Sequence, residues 1–198
     1  DVPAPPDSSV LDFELEIAAI VGRTAHNVGE ADAADYIAGY CIMNDWSARD
    51  LQSREMSVGL GPSKGKDFAT TIGPWITTAD ELEDRTVDGR LALEMSVSIN
   101  GVEVGRDSSA NMSWTFSQLL AHASRAATVG AGDILASGTC SGGSLGEIWA
   151  RSGKRTPPPL VPGDVVTMQI EGLGRISNRL VEPQPAPARV RPLERSNA

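Results

Sequence analysis

Between Leu11 and Gly22 apolar and acidic residues alternate strictly: Leu11, Phe13, Leu15 and Ile17 fall on one face of an extended chain, Asp12, Glu14 and Glu16 on the other. A period of two predicts a strand, and the run Ala18-Ala19-Ile20-Val21 predicts its passage into the core. Glu30 to Ala38 reads as a short helix and Tyr40 to Met43 as a second strand. A helical turn is expected from near Ser47, with Ser47 as N-cap and Asp50 in the first turn. Leu91 to Asn100 alternates again. Asn100-Gly101 followed by Val102 and Val104 predicts a hairpin, because both turn residues tolerate positive φ. Ser113 or Thr115 is expected to cap a helix through about Ala127, with Phe116, Leu119, Leu120 and Ala123 as its apolar stripe. Gly132-Asp133 and Gly163-Asp164 each read as a turn feeding a strand. With no regular βαβ alternation and no internal repeat, the pattern predicts an α+β, β-rich fold built on a mixed, largely antiparallel sheet system.

Composition narrows this picture. A chain of 198 residues with 40% apolar content can bury one substantial core, and 20 Gly with 13 Pro against 5% aromatics favour turns and short strands. The formal charge of −9 repels phosphate backbones and anionic membranes, so neither nucleic acid nor a membrane is expected as a partner. An acidic substrate would need local cations inside a pocket. No stretch approaches the roughly 20 apolar residues of a membrane span, and no signal peptide opens the chain. Cys41 and Cys140 read as small buried hydrophobes in a reducing cytoplasm, with a disulfide the less favoured alternative. Residues 1–10, which begin Asp1-Val2-Pro3-Ala4-Pro5-Pro6 without a methionine, read as a linker or truncated N-terminal segment. Residues 183–198, rich in Pro, Arg and Ala, lack the apolar periodicity that offsets ordering entropy and are expected to be disordered.

Glu14 and Glu16 are the most informative pair. Two residues apart on a strand, they project from one face about 7 Å apart, and such convergence is costly unless a cation or a proton separates them. The plainer alternative is a solvated strand face. Asp45, at the end of the Tyr40–Met43 strand, offers a third carboxylate, or else only a helix cap. Three carboxylates with open positions suit Mg²⁺, Mn²⁺ or Ca²⁺ better than zinc. His122 on its helix and His26 in its loop read as structural or solvated.

The run Asn44-Asp45-Trp46-Ser47-Ala48-Arg49-Asp50-Leu51-Gln52 closely resembles the signature of the fumarylacetoacetate hydrolase family. The resemblance continues through Gly61-Pro62-Ser63-Lys64-Gly65-Lys66-Asp67-Phe68-Ala69-Thr70-Thr71, Met112-Ser113-Trp114-Thr115, Gly132 to Thr139 and Gly163-Asp164-Val165-Val166, and covers nearly everything from Leu11 to Val181. It implies a catalytic domain over residues 11–182, a mixed β-sheet roll or sandwich with short flanking helices. It further implies that Glu14, Glu16 and Asp45 bind the metal, and that Arg49, Gln52 and Lys66 stabilise a developing enolate, with Thr70 and Thr139 near the substrate. Glu147, in Gly142-Gly143-Ser144-Leu145-Gly146-Glu147, matches the family's glutamate that orients a water-activating histidine. In the family that histidine comes from upstream of the Glu-x-Glu strand, a position matched by neither His26 nor His122. Met56 stands at the nearest equivalent of a substrate-facing tyrosine, and a thioether cannot replace its hydroxyl. The expected activity is metal-dependent hydrolysis of a carbon–carbon bond in a small β-diketo acid, of the kind met in aromatic-compound and tyrosine catabolism, by a homodimer. Isomerisation or decarboxylation of a 2-oxo acid on the same scaffold is the first alternative, and a non-catalytic metal-binding assembly domain the second.

Overall fold

The structure, a computed structural model, describes residues 1–59, 61–188 and 190. In chain order its first half contains β1 (Val2–Pro3), β2 (Leu11–Asp12), β3 (Leu15–Val21), β4 (Ala25–His26), α1 (Glu30–Ala33), β5 (Ile37–Asp45), β6 (Ser47–Ala48), α2 (Arg49–Met56) and β7 (Thr70–Thr78). Its second half contains β8 (Thr86–Val87), β9 (Arg90–Leu91), β10 (Glu94–Ile99), β11 (Val102–Ser108), α3 (Phe116–Ala123), β12 (Thr128–Val129), β13 (Ile134–Ala136), α4 (Leu145–Ser152), β14 (Val165–Ile170) and β15 (Gly174–Val181). A four-stranded sheet has the order β13-β3-β5-β7, and a five-stranded sheet the order β1-β15-β14-β10-β11. Pairing is antiparallel apart from β1 with β15. The sheets meet where β7 touches β15, β5 touches β14 and β10 touches β3. Ile17, Ile42, Met95, Val97, Met168 and Ile170 are buried in this β-rich, sandwich-like core.

Local signals produce the elements they predict. Asn100 and Gly101, at φ 50° and 84°, turn β10 into β11. Thr115 caps α3 in a full capping box with Gln118. Four expectations are corrected. The strand expected over Leu11–Gly22 breaks at Phe13-Glu14, because the Asp12 and Asn44 side chains accept the Phe13 and Glu14 N–H groups that a ladder would otherwise use. The helix expected to reach Ala38 tightens to a 3-10 turn over Ala34–Tyr36, and Ile37 turns into β5 to bury its side chain. Ser47 is fully buried in β6 and donates to the Asp45 carbonyl; α2 begins at Arg49 after Ala48, with no side-chain cap. α3 ends at Ala123, and Ala126 follows with φ 54°. Cys41 and Cys140 are free. Of the expected tail, residues 189 and 191–198 lie outside the described residues.

Candidate active site

Antiparallel pairing of β3 with β5 sets Leu15 opposite Asn44 and Glu16 opposite Met43, so Glu16 and the terminal Asp45 of β5 are close neighbours. Glu14 occupies the break before β3; its N–H donates to Asn44 Oδ1 at 3.1 Å, and its carbonyl accepts the Asp45 N–H. The Glu14 side chain lies beside those of Glu16 and Asp45. One carboxylate oxygen from each of the three residues lies within 4.8 Å of the other two. A solvated strand face is not what forms, since Glu16 is 4% exposed.

Two cations close on this cluster. The Lys66 ammonium donates to Glu14 and, at 2.8 Å, to Asp45 Oδ2. Arg49, the first residue of α2, donates through a terminal nitrogen to Glu14 at 2.9 Å and to Gln52 Oε1 at 3.0 Å. The loop bearing Lys66 is clamped onto α2. Glu55 accepts the N–H groups of Ser63, Lys64 and Gly65, and a Cβ on Gly65 would lie 2.7 Å from the Gln52 nitrogen. Only glycine permits that approach.

The residues fit a divalent cation. Four carboxylates, Asp12, Glu14, Glu16 and Asp45, face two fixed cations, Arg49 and Lys66, which leaves two negative charges uncompensated when all are ionised. Burial first, and then the charges of Glu14 and Asp45, push the Glu16 carboxyl up to about 7. A hard ion with metal–oxygen distances of ~2.1–2.4 Å can reach oxygens spaced this closely, and an all-oxygen donor set suits Mg²⁺, Mn²⁺ or Ca²⁺.

The other expected residues divide. Thr139 stands beside Glu16, at 3.5 Å from Oε1, and the Gly138 N–H donates to the same carboxylate at 3.2 Å. Thr70 is the ladder partner of Asp45. A cavity of about 300 Å³ starts at Gly138 and Thr139 and continues past Cys140, Asp107, Met112 and Trp114. The Cys140 thiol is pushed up to about 12, by burial first and then by Asp107 and Glu147, so it is no nucleophile at neutral pH. Met56 is not gathered in; it is exposed at the far end of α2, about two turns from Arg49. Glu147 is held by the Gly142 N–H, the Ser141 hydroxyl and Arg151. Among the described residues no histidine touches it: His26 bonds to the Ala127 carbonyl and Asn27, and His122 lies on α3. Alternation places Asp12 on the strand's polar face, yet it is fully buried and bonds to Arg49; sequence offers no signal for this, because its partners other than the neighbouring Phe13 N–H are 37 and more residues away.

The model of the fumarylacetoacetate hydrolase C-terminal domain matches residues 1–181. A Burkholderia lata protein named as a hydrolase is 36% identical over 172 residues, which cover 86% of this chain and 56% of that one. The chain thus spans a little over half the length of the curated relatives it matches. The solved structure of a fumarylacetoacetate hydrolase from Exiguobacterium antarcticum superposes with a TM-score of 0.75 at 30% identity, covering 92% of this chain and 61% of that one. That of a 5-carboxymethyl-2-hydroxymuconate delta-isomerase from Mycobacterium smegmatis gives 0.74 at 29%, covering 93% and 64%. Relatives named as hydrolases and isomerases support an enzyme. With the fold, the order of its motifs and the family model agreeing over the same residues, the chain belongs to the fumarylacetoacetate hydrolase family.

Proposed function

We propose that this chain is the catalytic part of a divalent-metal-dependent hydrolase that cleaves a carbon–carbon bond in a small β-diketo acid of the fumarylacetoacetate or acylpyruvate type. The observation that carries this reading is the convergence of Glu14, Glu16 and Asp45 beside Arg49, Gln52 and Lys66. A bound Mg²⁺, Mn²⁺ or Ca²⁺ supplies Lewis-acid polarisation of the substrate's paired oxygens. Glu14, Glu16 and Asp45 hold that ion, and Thr70 and Thr139 border the substrate. Arg49 and Lys66 present fixed positive charge to the enolate left by cleavage, and Gln52 steadies Arg49. Donors aimed at developing charge contribute about 3 kcal/mol each in comparable sites.

Hydrolysis also needs an activated water, and Glu147 would orient a histidine for that step. Its present partners are Gly142, Ser141 and Arg151. A second reading, supported by the likeness to a protein named as an isomerase, is isomerisation or decarboxylation of a 2-oxo acid, which uses the same ion and donors but no attacking water. Incubation with an acylpyruvate and with oxaloacetate, with and without Mg²⁺ or Mn²⁺, separates the two by loss of enol absorbance. Metal-dependent loss of the acylpyruvate supports hydrolysis, loss of oxaloacetate alone supports decarboxylation, and inactivity toward both favours a metal-binding assembly domain. The proposed form is a homodimer. Edge strand β7 supports it by exposing Ile72, Trp75 and Ile76 together. No helix among the described residues is long and apolar enough to cross a membrane.

A further inference from the structure

We propose that Asp12 is the positioning residue for Arg49, locking its guanidinium against the N-terminus of α4; the functional weight of this lock rests on the reading of Arg49 as an enolate stabiliser. Asp12 is fully buried, and its carboxylate is saturated. Oδ2 accepts from Arg49 Nε at 2.8 Å, from a terminal nitrogen of Arg49 at 2.7 Å and from the Gly146 N–H at 2.8 Å. Oδ1 accepts the N–H groups of Phe13 at 2.7 Å and Leu145 at 2.8 Å.

A buried carboxylate is costly, and helix closure alone does not require one here. Ser144 already caps α4 through the Glu147 N–H. What the charge adds is a hold on one edge of the Arg49 fork. Nε and one terminal nitrogen face Asp12, while the other terminal nitrogen alone is left to serve Glu14 and Gln52. A planar guanidinium fixed along one edge is fixed in orientation, which is what a donor aimed at transient charge needs.

Gly146 supplies an independent sign that the chain is built around this pair. A Cβ there would lie 3.2 Å from Asp12 Oδ2 and 3.3 Å from Arg49 Nε, so any larger residue presses on the contact itself. Through Leu145 and Gly146 the same carboxylate also sets the helix that carries Glu147, so Arg49 and Glu147 share one support.

Three substitutions in the full chain, singly and in one pair, test the proposal. Asp12→Asn keeps the shape and one acceptor but removes the charge; kcat is expected to fall about 100-fold with KM changed less than about threefold. On an Arg49→Lys background Asp12→Asn should cost at most about twofold more, because the edge it holds is gone. Gly146→Ala guards against misfolding of Asp12→Asn: alanine favours a helix, so the melting temperature should hold or rise, while kcat falls about fivefold from a displacement of a few tenths of an ångström. A reading without turnover is the Arg49 Nε–H resonance in a ¹⁵N spectrum, assigned by its loss in Arg49→Lys. It should be protected from solvent exchange in the unmodified chain and lose that protection in Asp12→Asn. Equal losses from Asp12→Asn in both backgrounds, or an unmoved Nε–H resonance, overturns the proposal. An unmodified chain that turns over no substrate removes the functional reading of Arg49 instead, and the resonance still decides whether Asp12 holds it.

Discussion

At the scale of single residues the site is governed by crowded like charges and by what separates them. Glu16 is the most confined of the three converging carboxylates, and burial followed by Glu14 and Asp45 raises its carboxyl to about 7. Between its unfolded value near 4.5 and 7, the folded chain holds a proton that the unfolded chain has released. Stability in metal-free buffer should therefore be fully present below about pH 4.5 and decline as pH rises toward 7, by an amount on the order of 2–3 kcal/mol. Urea unfolding at pH 5 and 7.5 measures this, and Glu16→Gln should flatten that dependence. Lys66 acts in the opposite sense, since its ammonium lies between Glu14 and Asp45. Lys66→Met is expected to lower turnover about 100-fold while Mn²⁺ binds as tightly or more tightly, because the variant loses an enolate donor and a competing cation together. Parallel kinetic and calorimetric titrations read the two effects separately.

At the scale of elements, what could be read from sequence was what depends on near neighbours. Asn100-Gly101 makes its hairpin and Thr115-x-x-Gln118 its capping box, because every group involved lies within a few residues. The break between β2 and β3 could not be read this way: Asn44, thirty positions from Glu14, takes the N–H that alternation assigns to the ladder. Ser47 illustrates the same limit, for its sequence neighbours suit an N-cap but its burial in β6 removes it from the helix end. Glu55 clamping the Ser63–Gly65 turn was equally hidden, although the clamp decides where Lys66 points. Because a Cβ on Gly65 would meet the backbone of Gln52 at 2.7–2.8 Å, Gly65→Ala must push this loop off α2. The expected cost is about 1–3 kcal/mol of stability with a larger proportional loss of kcat than of substrate affinity, checked by thermal unfolding and steady-state kinetics.

At the scale of the whole molecule, two facing sheets leave the acidic cluster at the ends of β3 and β5 and leave β7 as the last strand of its sheet, partly covered by β15. Ile72, Trp75 and Ile76 expose apolar surface there, and the proposed dimer would cover it. Trp75→Glu should convert a dimer into a monomer in sedimentation velocity without loss of the folded far-ultraviolet spectrum; a monomeric unmodified chain would remove the dimer from the account. The family and the β-rich sandwich were legible from motifs spread along the chain, whereas the support given by Asp12 emerged only from tertiary contact. The central claim, that Glu14, Glu16 and Asp45 together hold one hard divalent ion, is tested most directly by electron paramagnetic resonance titration of Mn²⁺ into the unmodified chain and into Glu16→Gln at pH 7.5. A single saturable site in the unmodified chain, weakened about 100-fold or more in Glu16→Gln, is the predicted result; equal binding by the two proteins, or binding by neither, would contradict it.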